Sequence, residues 1–294
     1  MDVCSQGAIS ASQIVKYLPL VYSEFTPELA LKAEKELKET ETNIKNCLRK
    51  LKELISIQSI PICPDDEFLI TFLRAKKYDV KKSFQALKNY SHSRITHMKY
   101  FSQINFERIK KVLDSNVCGI LPKRDNEGRA VLYFSANQFS SDDSNPEDVM
   151  ATVHLISHFV LSFPISQVNG ICFISDTSLP SLEALQLMFK YVKTFAPSMN
   201  NFPARIRRID CVNANILFRA AYSIVQTFVP AKIFQRVKLH GNSEDTLIKH
   251  YPSSILPKEF GGSFGTFKDL HKDWIDDLKK YITKYEADNS YYNY

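Results

Sequence analysis

Ser263 stands in Gly261-Gly262-Ser263-Phe264-Gly265, which fits the GxSxG pattern of a strained strand-to-helix turn presenting a nucleophile. Acyl transfer there would need an acid and a histidine from later strands, and the rest of the chain reads as one helix instead. The pentapeptide is therefore expected to be a glycine turn closing the domain, with a Ser263 hydrolase as the remote alternative. His154 and His158 are four apart on a predicted helix and would suit one metal ion, but no HExxH glutamate accompanies them and their neighbours are apolar. They are expected in a core or pocket, and no metal is predicted. Asp176 follows an apolar strand, at the end where open α/β sheets place ligands, yet no Ser, Lys or His pairs with it at a recognisable spacing. A cap for the helix starting near Ser181 is the plainer role. With 8 glycines and neither GxGxxG nor GxxxxGK[ST], no nucleotide cofactor is expected.

The basic residues carry more. Arg205, Arg207 and Arg208 enter one predicted strand, and Lys232, Arg236 and Lys238 follow the segment NANILFRAAYSIVQTFV at 213–229. On a helical wheel, Arg219, Ser223, Gln226 and Thr227 share one narrow sector, leaving apolar side chains around roughly 200°. That is about twice the stripe a surface helix needs, and a spanning helix would need about 20 apolar residues. A greasy helix bordered by cations suits an anionic bilayer surface, at about 1 kcal/mol per nearby Lys or Arg. Nucleic acid is not the expected partner: no RNA-binding motif or recognition helix is present, and 32 acidic residues nearly balance 38 basic ones.

These residues must be positioned by a chain of 294 residues that changes texture near Cys118. Before it, Thr26-Pro27-Glu28 starts a helix expected to run unbroken until Pro61 and Pro64 stop it. Two further helices succeed it, one using Phe68, Leu69, Phe72 and Leu73, the next Val80, Phe84, Leu87 and Tyr90. After Cys118 come a hairpin turning at Asp125 to Gly128, a helix opened by Pro146, and the strand VNGICFISD. A helix from Ser181, the strand ARIRRIDCVNA, the apolar helix, the strand QRVKLHG and a short helix at 243–251 complete the alternation. This order predicts an α/β domain with a mainly parallel sheet. The expected division is an N-terminal tail (1–26), a helical unit (27–100), the α/β domain (101–278) and a C-terminal tail (279–294), with a C-terminal helix over 267–285 followed by polar, Tyr-rich residues. The 6 cysteines lack CxxC spacing, the first residues lack a secretory pattern, and Met1-Asp2 lacks the glycine needed for myristoylation. No apolar run reaches about 18 residues. The expectation is a cytoplasmic protein with reduced thiols, transiently peripheral to membranes.

Two long stretches, DDEFLITFLRAKKYDVKKSFQALKNY and KLHGNSEDTLIKHYPSSILPKEFGG, are similar to the N-terminal helical signature and the C-terminal block of the CRAL-TRIO lipid-transfer family. Within it the chain looks like the branch of α-tocopherol transfer protein, cellular retinaldehyde-binding protein and clavesin, over about residues 28–278. The resemblance implies a three-helix unit packed on a lipid-binding domain whose mobile gate helix covers a deep apolar pocket; by position the gate is the 213–229 helix. It also implies phosphoinositide binding by basic residues beside the gate, which match Arg205, Arg207, Lys232 and Arg236 here. One departure is Asp176-Thr177-Ser178, where the family commonly has glycine closely after the acid. The expected ligand lining is Val153, Ile156, Ser157, His158, Val160, Phe173, Ile174, Ile216, Phe218, Tyr222 and Val225, with Ser157 or His158 orienting a polar group. The function so implied is non-enzymatic: transfer of a tocopherol-, retinoid- or phosphoinositide-like molecule at anionic membranes, without cofactor. A membrane-associated lipid sensor engaging a protein partner is the alternative.

Overall fold

The computed structural model describes residues 18–62, 65–97, 105–136, 138, 145–178, 181–240 and 246–288. Most of the N-terminal tail, Cys4, Cys63 and the end of the C-terminal tail lie outside them. The cysteines that are described, Cys47, Cys118, Cys172 and Cys211, are buried free thiols.

Helix α1 (Pro27–Leu37) begins as its sequence dictates: Thr26 accepts from the Leu29 amide, and Pro27 takes the first turn. The expected unbroken helix is corrected here. Lys38 adopts φ 67° and ψ 32°, and Thr40 caps a new helix, α2 (Glu41–Ile57), by accepting from the Asn43 amide. Asn43 also donates its side-chain amide to the Lys38 carbonyl at 2.7 Å, so local capping outweighs the helix-forming residues around it. Asp65 and Asp79 cap α3 (Asp66–Ala75) and α4 (Val80–Thr96) in the same way. Leu37, Leu51, Leu69, Phe72, Leu73 and Leu87 form a fully buried core, which Ile165 and Val168 of the following domain join. The two parts of the chain therefore share one apolar interior. A half-buried Arg74 reinforces the seam by donating to Gln167 at 2.6 Å, while Glu39 of its own unit accepts from it at 2.5 Å and 2.8 Å.

After α5 (Phe106–Asp114) come β1 (Cys118–Ile120), β2 (Ala130–Ser135), α6 (Pro146–Leu161), α7 (Pro164–Asn169), β3 (Ile171–Asp176), α8 (Leu182–Phe195), β4 (Ile206–Val212), α9 (Ile216–Phe228), α10 (Ala231–Phe234) and β5 (Val237–Leu239). The sheet keeps chain order β1-β2-β3-β4-β5, with β1 antiparallel to β2 and the rest parallel. Successive right-handed crossovers in one direction bring α6, α8 and α9 to the same face of this sheet. The opposite face is sealed by the C-terminal segment, whose Leu247, Tyr251, Ile255, Phe260 and Phe267 pack on Val131, Tyr133, Cys172 and Ile174. The short helix expected at 243–251 is described only from residue 246, where one helical pair runs into a turn.

Helix α11 (Ile275–Asp288) forms most of the C-terminal helix expected over 267–285, whose first residues instead make a 3₁₀ turn at Phe267–Asp269, and it buries Leu278, Ile282 and Tyr285 against α6. One irregularity sets which side chains of the basic strand face which way. Along the β3–β4 ladder Ile171 pairs with Ile206 and Cys172 with Arg208, so Arg207 is an extra residue in a β-bulge. Without it the sequence Arg205-Ile206-Arg207-Arg208-Ile209-Asp210 could not alternate; with it Ile206 and Ile209 share the helix-covered face, and Arg208 and Asp210 share the other.

Candidate ligand face and basic rim

On the helix-covered face, neighbouring strands contribute Phe134, Phe173 and Ile209, which remain only half-buried at the middle of the molecule. On one side α6 packs on α5, α7 and β1; on the other α8 packs on α9. Val153 of α6 and Tyr222 and Val225 of α9 are half-buried too. Strand alternation and helical spacing thus leave incompletely covered apolar side chains on the sheet and on two separate helices.

The expected lining divides into four groups. Val153, Phe173, Tyr222 and Val225 are half-buried on this face, and Phe218 is buried beside them with Cys211 and Ala214. Ile156 and Val160 lie in the solid core, and Ser157, also buried, donates its hydroxyl to the Val153 carbonyl at 2.6 Å. His158 turns to a different side of α6: its Nε2 is 2.9 Å from the Tyr90 hydroxyl, and its ring lies 4.9 Å from Phe202 and 5.8 Å from Tyr285. Ile174 belongs to the opposite sheet face, because adjacent strand residues point oppositely, and Ile216 is 82% exposed on the outer side of α9. His158, Ile174 and Ile216, expected together with the others, thus lie away from this face. Phe134, Ile209, Leu185 and Met188 were not anticipated; alternation from the buried Leu132 would have found Phe134, while the bulge concealed Ile209.

His154 and His158 sit with ring centroids 4.5 Å apart, and Arg94 Nη1 lies 3.0 Å from His154 Nε2. Burial, reinforced by the Arg94 charge, pushes His158 down to about 3, and the same causes with His158 itself depress His154. These are neutral packing groups where α4, α6 and α11 meet. No cluster of metal-ligating residues occurs among the described residues.

At the N-terminal edge of the parallel strands the cations converge. Arg205 is buried, donating to the Val168 carbonyl and, at 2.8 Å, to Glu36. Arg207 donates to the Asn169 carbonyl at 3.0 Å and to the same Glu36 oxygen at 3.2 Å. Arg236 donates to the Ile206 carbonyl, and Lys232 is exposed on α10, close enough to Lys76 to lower its pKa after the larger effect of burial. Burial lowers Arg205 and Arg236, and Arg207 lowers both further. Gly170, at φ +92°, is required here: a Cβ would lie 2.3 Å from the Arg205 carbonyl oxygen and 2.7 Å from Arg207 Cγ. Arg208, by contrast, faces across the sheet and pairs with buried Asp210, which also accepts from His240 and Tyr251 at 2.6 Å each.

The CRAL/TRIO domain profile matches residues 114–262, just over half of the chain. The chain belongs to the CRAL/TRIO domain family. Within the family it is similar to mouse alpha-tocopherol transfer protein-like, 29% identical over 244 residues, covering 82% of this chain and 71% of that protein. It is also similar to clavesin-1 of Pongo abelii, 27% identical over 282 residues, covering 89% and 78%. The crystal structure of Sfh5 has the same fold, with a TM-score of 0.57 at 14% identity over 85% of this chain and 99% of that one. In this CRAL/TRIO chain Ser263 lies in a loop between 3₁₀ turns at Lys258–Phe260 and Phe267–Asp269, without the strand and helix of a nucleophile elbow. Gly262 serves packing, since a Cβ there would lie 2.0 Å from the Leu256 carbonyl oxygen. No helix among the described residues is long and apolar enough to cross a membrane.

Proposed function

We propose that this protein takes up one small hydrophobic molecule between the helix-covered sheet face and α9, and delivers it at anionic membranes. The observation that carries the reading is the half-burial of Phe134, Phe173 and Ile209, side by side on three neighbouring strands beneath the helices. Burying a ligand against them gains about 25 cal/mol per Å². A tocopherol-like molecule, apolar with one polar group, fits that chemistry and agrees with the name of the transfer protein-like relative. Helix α9 has an inner side of Phe218 and Ala221, both buried, and an outer side with Ile216 and Ile224, 82% and 51% exposed. The outer side, next to Arg207, Lys232 and Arg236, is where a bilayer would dock. Swinging α9 outward exposes apolar surface that a bilayer covers, coupling release to docking.

Native mass spectrometry of the full chain purified from a eukaryotic host, followed by extraction and identification of released lipid, tests uptake. A stoichiometric hydrophobic molecule is expected; a protein that arrives empty and takes up no tocopherol, retinoid or phosphoinositide would refute it. Transfer between donor and acceptor vesicles tests delivery. Replacing Lys232 and Arg236 by Gln is expected to slow transfer to anionic acceptors several-fold, at about 1 kcal/mol per charge. Binding without transfer would point to a lipid sensor instead.

A further inference from the structure

Helix α1 carries Glu36 from the helical unit into the basic rim of the other domain. A single carboxylate oxygen there serves two guanidinium groups, 2.8 Å from Arg205 and 3.2 Å from Arg207. Desolvation raises the Glu36 pKa, but the Arg205 hydrogen bond and the charges of Arg205, Lys32 and Arg207 outweigh it, leaving the carboxyl below its ordinary value. The contact differs from the ion pair beside the same seam, which lies wholly within the helical unit. Arg74 and Glu39 are sealed, with side chains 11% and 4% exposed, whereas Glu36 keeps 34% and Arg207 30%, with Arg205 at 7% on the buried side of the contact. The hydrated half of the contact, Glu36 with Arg207, holds weakly and is open to exchange, so the carboxylate is reachable from solvent while Arg205 stays in place. A carboxylate offers one negative charge, whereas a phosphate monoester offers about −1.5 to −2 and three strong acceptors, matching paired guanidiniums better.

We infer that Glu36 occupies the place of a phosphate monoester in the free protein, and that an inositol-lipid headgroup displaces it, freeing α1 from the rim as the membrane is engaged. The inference rests on the proposed docking at anionic membranes. Glu36 thereby discriminates: diester headgroups such as phosphatidylserine cannot outcompete it, and a monoester can. It also ties headgroup recognition to the seam between the two parts of the chain, because Glu36 is contributed by one and its arginines by the other.

The full-length protein and its Glu36→Gln variant are compared on phosphatidylcholine vesicles containing phosphatidylinositol bisphosphate and on vesicles of matched charge containing phosphatidylserine. Glu36→Gln keeps a carbonyl acceptor for Arg205 and is expected to bind the bisphosphate vesicles about fivefold tighter, with little change on phosphatidylserine. In the wild type, backbone amides of Pro27–Leu37 are expected to exchange hydrogen faster on the bisphosphate vesicles. Soluble inositol trisphosphate separates the sources: equal tightening assigns the site to phosphate as such, and tightening on vesicles alone assigns it to the bilayer-held headgroup. If Arg207→Gln weakens binding while Glu36→Gln binds no better than wild type, Glu36 is a fixed strut and the inference is overturned. If neither variant moves binding, the headgroup reading itself falls, and the inference with it.

Discussion

The two faces of one strand behave differently. Along β3, Cys172 and Ile174 point into a side with no measurable exposure, closed by Tyr251, Ile255 and Leu256, while Phe173 between them stays half-buried beneath helices. Composition does not distinguish these residues; what differs is the cover. A continuous C-terminal segment sits on the first face, and two separate groups of helices sit on the second. Complete and incomplete cover thus fall on opposite sides of the same backbone, and the proposed guest belongs to the incompletely covered one.

Truncation on either side breaks or sharpens that contrast. Ile174→Ala is expected to cost about 2–5 kcal/mol in urea denaturation, the usual range for a large deletion in a packed core. Phe173→Ala is expected to fall well below the roughly 3–5 kcal/mol of a core phenylalanine and to lower ligand occupancy instead. Equal losses of stability at the two positions would dissolve the distinction.

A smaller effect comes from the third side of α6, where His154 and His158 meet Tyr90 and Arg94. With His158 at about 3 when folded and near 6.5 when unfolded, the unfolded chain binds the extra proton, so stability is full above pH 6.5 and falls as pH drops toward 3. The slope from His158 alone is about 1.4 kcal/mol per pH unit across that window. His158→Gln, which keeps an acceptor for Tyr90, should flatten the acid limb of a stability-pH curve; an unchanged limb would show that the histidine is not neutral in the fold. Smallest of all, Ile216→Ser with Ile224→Ser should change stability by less than about 0.5 kcal/mol, because both side chains face water, while weakening adsorption to anionic vesicles.

Element types and order were legible in the sequence because caps, prolines and periodicity all agree locally. The break at Lys38 was missed although Thr40 and Asn43 advertise a cap, since long runs of helix formers obscure a left-handed residue that is not glycine. Site residues were legible only where one side of an element is polar. Ile171-Cys172-Phe173-Ile174 is apolar on both faces, as parallel strands buried between layers are, so the sequence offers no sign of which side stays open. On helix α9 that sign was present: Ile216 falls between Ser223 and Thr227 in the polar sector of the wheel, opposite Val225. The basic rim was found as a set of charges, but Glu36, 169 residues before Arg205 in the chain, carries no local signal at all.

The bulge at Arg207 divides β4 into two independently editable stretches. Residues before it address the rim, and residues after it resume strict alternation between the open face and the sealed one. Under the proposed function, exchange of side chains at 205 and 207 would alter which surface the protein visits while Ile209 keeps its register, and exchange at 209 would alter what fits inside while the rim keeps its contacts. On that proposal destination and cargo are separable traits, and one unpaired residue is what uncouples them.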